Sequence, residues 1–510
     1  MNAIARREVY VLGAAFALGI LGDALLRSFP WGVNFALWAG LLTVAVTALG
    51  RARPSAFAAG GWWLLFPIAF CPLAFLWHDA FQLKALNLLG LLTALSLLVL
   101  RAQGARLRAS SLVKYALGSI IAGLNTAFGI VPLLFGNAEW KKSAAGGSRA
   151  GVAVLRGAAF ALLPILVFGS LLMAADAVFH NLVGRIFHFD FTHLAVIAFF
   201  AICVGGYLRG LLFGKELGMV ADQGALPISL GAIETGVMLG LLDLLFLAFV
   251  LVQIRYYFGG STLVQATSGL TYAEYARRGF FELVAVAALV LPFLLVVHWL
   301  LRRDDGPGQG LFRWLAGIQV GLLFVIMASA FQRMRLYQAE YGLSEQRLYP
   351  TAFMGWLVVV FAWFCLTVLR GRRERFAFGA MVAGFMLIAV LHMLNPDALI
   401  ARTNLERAQA GRRFDARYVS HLSADAVPEM VSGLPALNLA DRQMLARELL
   451  NRWSPPENPD WRSWTISRSR AWQAVSANLP TLHAASGGPL PYHGDPSQRP
   501  QVAVDSHRMR

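Results

Sequence analysis

GAIETGVMLGLLDLLFLAFVLVQIRYY, residues 231–257, is a continuous apolar run broken by few polar positions. A hydrocarbon core of roughly 30 Å takes about 20 helical residues to cross, and this run exceeds that length. No water there can satisfy backbone polar groups, so a crossing is a helix or a strand of a closed barrel. A barrel strand would show about 10 residues of alternating polarity, which this run lacks. Working outward, similar runs fill the chain from its start to about residue 395. Crossings are expected at 9–27, 31–50, 56–77, 81–100, 152–175, 192–213, 232–255, 280–301, 311–332, 350–369 and 376–394. The fold class is therefore an all-α integral membrane protein with about 11–12 transmembrane helices and a small C-terminal helical domain.

Composition agrees. Of 510 residues, 57% are hydrophobic and only 14% charged, against about 25% charged in a soluble protein. The three cysteines, Cys71, Cys203 and Cys365, are far apart in apolar runs and read as small buried hydrophobes. Formal charge is +16. From Asn395 onward there are 14 Arg and 11 acidic residues, so +3 belongs to the tail and +13 to the membrane part. That is the pattern of basic loops facing anionic lipid, and it implies no nucleic-acid partner.

One apolar segment, 111–136, carries Lys114, Gly118, Asn125 and Gly129 between basic flanks. If it does not cross, loops on the N-terminal side hold 21 Lys+Arg and the opposite loops 9; if it crosses, the split is 15 to 15. The positive-inside rule selects the first arrangement. The expected topology is eleven spans, the N-terminus cytoplasmic, the C-terminus periplasmic, and 111–136 re-entrant or interfacial. The expected regions are 1–110 with about four helices, 111–150 as the re-entrant segment and basic loop, 151–395 as a core of about seven helices, 396–478 as a helical extramembrane domain, and 479–510 as a disordered tail.

Within the apolar region Asp243 stands out. A carboxylate at the bilayer centre costs about 2.5–3.5 kcal/mol on insertion scales. Ala232, Gly236 and Gly240 form a small-residue stripe suited to close helix packing, and Asp243 shares its face. It is a candidate intramembrane relay or a packing carboxylate. Gly206, Gly210, Gly214 and Gly218 form a second four-residue repeat, which predicts a tight helix contact. His188-Phe189-Asp190-Phe191-Thr192-His193, with Asp176 and His180, matches no zinc spacing, so neither metal nor cofactor is expected.

Two connections are dense in polar residues. In Thr271–Leu283, the residues Glu274, Arg278 and Glu282 are spaced to form one charged helical stripe entering the next span. In Arg333–Tyr349, the residues Arg333, Tyr337 and Glu340 share a face, Gly342 suits a helix C′ position and Ser344 an N-cap. With Arg347 and Asp397 these make a candidate polar rim, in which arginine forks suit carboxylate or phosphate, or else a set of structural ion pairs.

These two stretches, with Ala174–Phe179 and Asn395–Asn404, resemble a family of uncharacterised bacterial multi-pass inner-membrane proteins, a domain of unknown function with permease-like character. The resemblance covers about 150–478. It implies a fold and a membrane location, and no activity.

Three functions follow. The first is a transporter or permease, drawn from the span number, Asp243 and the rim. The second is an envelope sensor, scaffold or assembly factor whose protein partner binds residues 396–478, where Trp453, Trp461, Trp464 and Trp472 form a partner surface or the domain core. The third is a membrane-embedded transferase on lipid-linked substrates. No Walker A, HExxH, GxSxG or DxD-type cluster occurs, so no catalytic residue is assigned.

Overall fold

A computed structural model describes residues 3–51, 58–105, 107–109, 112–135, 172, 176, 191–214, 230–258, 279–301 and 306–487. Among these, nine helices are long and apolar enough to cross a membrane, and Gly61–Trp77 and Tyr115–Phe128 are shorter apolar helices. The expected crossing at 152–175 lies outside the described residues, Leu172 apart. The chain is an α-helical integral membrane protein, and it divides into two units, Met1–Pro396 with Pro459–Arg468, and Asp397–Asn458 with Ser469–Arg510.

The first unit opens with the hairpin of α1 (Ala3–Leu26) and α2 (Val33–Gly50). Asn34 fixes the turn. Its Oδ1 accepts from the N–H groups of Gly32 (2.7 Å) and Phe35 (2.8 Å), and its Nδ2 donates to the carbonyls of Leu25 (3.0 Å) and Ser28 (2.7 Å). Every hydrogen-bonding direction of a buried amide is thereby used, which is what burial of such a group demands. A short 3-10 turn leads into α3 (Leu65–Trp77), and α4 (Phe81–Ala102) returns beside it. The expected span at 56–77 is thus only partly α-helical.

The helix α5 (Leu112–Phe128), the single turn α6 (Ile130–Phe135) and α7 (Phe191–Phe213) complete this half. α7 lies antiparallel to α1, with Gly205 against Ala15, Gly19 against Ala201 and Gly22 against Phe200. It lies parallel to α4: the Tyr207 hydroxyl donates to the Leu95 carbonyl at 3.0 Å, and Gly214 sits against Gln103. α7 therefore starts at the end of the bundle opposite to the one where α4 finishes. α5 leaves the end of α4 obliquely, with Gly118 against Leu100 and Gly129 against Gly206. At ~1.5 Å per residue, Gly206 is only about 12 Å along α7 from Gly214.

The glycine repeat of α7 explains this approach. A Cβ on Gly206 would sit 2.3 Å from the Asn125 carbonyl oxygen, and one on Gly210 2.8 Å from Asn125 Cβ. The tight contact expected from the repeat is present, and its partner is the segment 112–135.

The other half packs α8 (Ala232–Phe258), α9 (Phe280–Leu300), α10 (Gly306–Tyr341) and α11 (Glu345–Thr367) around a second apolar core containing Leu239, Leu323, Met354 and Phe361. α12 (Phe376–Leu394) lies against both α11 and α4; Gly90 of α4 lies beside Ile388 of α12 and Cys71 of α3. Outward faces are apolar, as at Ile233, Leu241 and Leu244 of α8, 62–80% exposed. Such a face suits lipid.

The second unit comprises α13 (Pro396–Gln409), α14 (Ala416–Ser420), α15 (Val427–Gly433), α16 (Leu439–Trp453), most of α17 (Ile466–Ala477) and α18 (Leu479–Ala485). Leu405, Met430, Leu445, Leu449, Trp453 and Leu482 are buried. Asp415 and Asn438 cap α14 and α16 by accepting backbone N–H groups, a role that short polar side chains fill well. Two expectations are corrected. The tail does not begin at Leu479: α18 packs on α16, and Arg447 Nε donates to the Ser486 carbonyl at 2.8 Å. Buried Leu482 supplies the apolar anchor that this polar stretch concealed. Second, Pro459–Arg468 belongs to the first unit, so Trp461 and Trp464 are not core residues of the second.

Candidate functional site

The sharpest chemistry sits between α8 and α10. Thr235, Leu239, Asp243, Phe246 and Val250 form the buried face of α8, and Phe312, Ala316, Gln319, Val320 and Leu323 that of α10. Gly236 meets Leu311, while Gln253 bonds Ser329 and Arg333. The two helices therefore run parallel, and Gln319 falls level with Asp243. Asp243 is 7% exposed and Gln319 fully buried. Neither carboxyl oxygen of Asp243 and neither polar atom of the Gln319 side chain has a hydrogen-bond partner among the described residues. Asp243 lies in the middle of the span Ala232–Gln253. The stripe prediction is met only in part: Gly236 touches Leu311, but a Cβ on Gly240 would meet nothing within 4 Å. Asp243 faces α10 because the apolar stripe of α8 does, rather than through a small-residue seam.

Gln319 went unnoticed in the sequence. A single amide in an apolar run is a weak signal, and its level with Asp243 depends on how two helices separated by α9 pair.

Where α8 and α10 end, polar groups gather. Arg333 donates from Nη2 to Gln253 Oε1 at 2.6 Å, and the Ser329 hydroxyl donates to the same oxygen at 3.0 Å. Arg347 Nη1 donates to the carbonyls of Tyr341 (3.0 Å) and Gly342 (2.6 Å), and its guanidinium lies 4.2 Å over the Tyr337 ring. Arg347 therefore closes the α10–α11 turn. Gly342 takes the expected C′ conformation at φ +78. Ser344 occupies the N-cap, but its side chain makes no capping bond. Glu282 and Glu340 are exposed.

The charged stripe Glu274–Arg278–Glu282 is corrected. Gly279 has φ +87 and α9 starts at Phe280, so one helix does not run through all three. A Cβ at Gly279 would lie 2.9 Å from Arg333 Nη1. Glycine meets both demands there, a left-handed backbone and a close arginine. Glu274 and Arg278 lie outside the described residues. Asp397 belongs to the second unit; it is buried and accepts the Ser423 N–H at 3.1 Å. It holds its own unit's fold rather than a rim.

A second polar group links the α3–α4 turn to Pro459–Arg468. Asp79 pairs with Lys84 (2.6 Å) and Arg468 (3.0 Å), and all three side chains are less than a fifth exposed. Ser467 donates to the Trp77 carbonyl (2.7 Å), the Val33 N–H to the Trp464 carbonyl (3.1 Å) and Arg462 to the Ala24 carbonyl (3.0 Å). Hydrogen bonds from Arg462, then from Ser28, hold the Asp460 carboxyl well below the usual carboxylate range. Beneath the Asp79 group, His392 Nε2 contacts Asn87 Oδ1 and His78 Nε2 contacts the His392 carbonyl, both at 3.0 Å. His193 of the 188–193 stretch pairs with Asp23 of α1; His180, His188 and Asp190 lie outside the described residues. Pro459–Arg468 was unreadable in the sequence because its partners stand more than 350 positions earlier.

No curated protein and no solved structure matches the sequence. A family described as "Domain of unknown function (DUF4153)" matches residues 65–433. The match begins at α3 and ends at α15, so it includes N-terminal helices that the resemblance at about 150–478 left out. With most of its length inside that match, the chain belongs to the DUF4153 family of uncharacterised proteins.

Proposed function

We propose that this is a permease of a bacterial cytoplasmic membrane, with its polar working site between α8 and α10. The observation that carries the reading is the pair Asp243 and Gln319, buried at one level with their polar atoms unsatisfied. Ionisable groups inside membrane helices are costly and mark solute or ion paths. The excess of basic residues, 21 against 9, supports a cytoplasmic N-terminus. The oblique course of α5 supports a segment 112–135 that enters from the cytoplasmic side without crossing, and with eleven spans the C-terminus is periplasmic.

The test is uptake into proteoliposomes of a labelled mixture of amino acids, monosaccharides and inorganic phosphate. The reading expects uptake by the natural protein and its loss in Asp243→Asn with the helical spectrum unchanged. Equal uptake by both, or none above empty vesicles, overturns it.

The docking of Pro459–Arg468 on the first unit favours a second reading, an envelope sensor. The second unit is tied by its chain to the first at Pro396, Pro459 and Arg468. It predicts a protein partner bound only when residues 397–458 and 469–487 are present. The same partner recovered without them removes that reading.

A further inference from the structure

We propose that Asp243 and Gln319 together form a proton-binding site at the centre of the α8–α10 interface. The inference rests on the permease reading and gives that site its coupling ion.

The donor set decides the ion. Among the described residues, Asp243 offers two oxygens at this level and Gln319 one. The nearest polar residues on the α8 face, Thr235 and Gln253, lie about 12 and 15 Å away along the axis. Calcium takes 6–8 oxygens and magnesium a near-octahedral shell, and three oxygens complete neither. A proton needs far less. In the structure the two side chains do not bond each other; turned together on their shared level, the carboxylic acid O–H would donate to Gln319 Oε1 and Gln319 Nε2 to the remaining carboxyl oxygen. That closed pair satisfies both side chains without net charge in the apolar interior. Loss of the proton leaves a carboxylate held by Nε2 alone and an amide oxygen with no donor. The site thus has two states that differ by one proton, which is what coupling requires.

Among the described residues, surrounding charge does not compete. Glu234 accepts the Gly231 N–H at the start of α8, and Arg313 is exposed near the start of α10. Arg333 is engaged by Gln253 near the far end of that pair. On α9, Glu282 is in the first turn and His298 lies against Phe312, about 10 Å along α10 from Gln319. Gly240 leaves room one turn from Asp243, since a Cβ there would meet no atom within 4 Å.

The test uses the full-length protein in phosphatidylcholine–phosphatidylglycerol vesicles and the apolar reagent dicyclohexylcarbodiimide. The reagent takes the carboxyl proton on nitrogen, forms a bond from the carboxyl oxygen to its central carbon, and rearranges to a stable N-acylurea. Only the protonated acid reacts. Mass spectrometry should find the adduct on Asp243, falling about tenfold or more from pH 6 to pH 9. Gln319→Glu should carry that labelling to higher pH, because two adjacent carboxyls cannot both ionise. An infrared band of a protonated carboxyl should titrate in parallel and be missing in Asp243→Asn. No such band, labelling that is flat with pH, or a profile unchanged by Gln319→Glu overturns the proposal. The two readings fail separately: a titrating Asp243 without solute uptake ends the permease reading, and uptake with no titrating carboxyl ends the proton site.

Discussion

Replacing Gly206 and Gly240 by alanine should move stability in opposite directions, although both glycines lie in four-residue repeats of apolar helices. At Gly206 the new Cβ would stand 2.3 Å from the Asn125 carbonyl oxygen and 2.5 Å from that of Thr126. Ordinary contact begins at 3.4 Å, so α5 and α7 must part by about 1 Å. Both obstructing atoms are backbone, so no rotamer change relieves them. Overpacking of this kind costs about 1–3 kcal/mol. The intrinsic gain of alanine over glycine in a helix, about 0.5–1 kcal/mol, offsets only part of it. At Gly240 nothing lies within 4 Å of the new Cβ, so only the gain remains. The assay is the loss of monodisperse protein on heating in detergent, read by size exclusion. The net loss of about 0.5–2 kcal/mol, at about 2–4 °C per kcal/mol for domains of 150–250 residues, should lower the midpoint of Gly206→Ala by roughly 1–8 °C. Gly240→Ala should leave it unchanged or raise it. A Gly206→Ala protein as stable as the natural one would refute the close approach of α5 to α7, and a Gly240→Ala protein that loses as much would refute the open space beside α8.

Asp79→Asn removes a carboxylate that pairs with both Lys84 and Arg468, two cations mostly buried. Breaking a buried pair costs about 3–5 kcal/mol; amide exchange across 459–468 should accelerate, and unchanged exchange would show that the pair does not hold that segment. Asp460 works differently, because it is exposed. Its carboxyl is depressed, so its contribution is complete above the unfolded value of about 3.9 and is lost only as pH falls through the lower folded value. Exchange protection at 460–463 should therefore be flat from about pH 8 to pH 5, and a step near neutrality contradicts the Arg462 and Ser28 bonds. Asp397→Ala strips the Ser423 N–H of its acceptor at a buried position, a loss of about 1–3 kcal/mol. It should speed exchange in 416–433 and spare α8 and α10, whereas an effect spread over the membrane helices goes against a role local to the second unit.

The helical crossings were legible because the bilayer imposes a length and a composition on each one, whatever its neighbours. Local chemistry was legible too: Gly342 as a C′ residue and Asp243 on the inward face of α8 both follow from spacing along one helix. Expectations faltered where a conformation depended on a distant residue. Gly279 breaks the stripe of Glu282 because Arg333, on another helix, packs against it. Arg347, expected as a ligand donor, bonds the turn before it. Leu482 turns an apparently polar tail into a helix because α16 offers it a place.

The sequence by itself determined the solvent of this protein. Span length and composition are sums over residues, and sums survive ignorance of contacts. Tertiary structure alone decided that α4 and α7 run parallel, that Pro459–Arg468 returns to the first unit, and that Gln319 stands level with Asp243. Those facts depend on which helices pair and in what register, and long apolar helices of similar composition specify pairing only through shape, at positions such as Gly206 where two backbones meet.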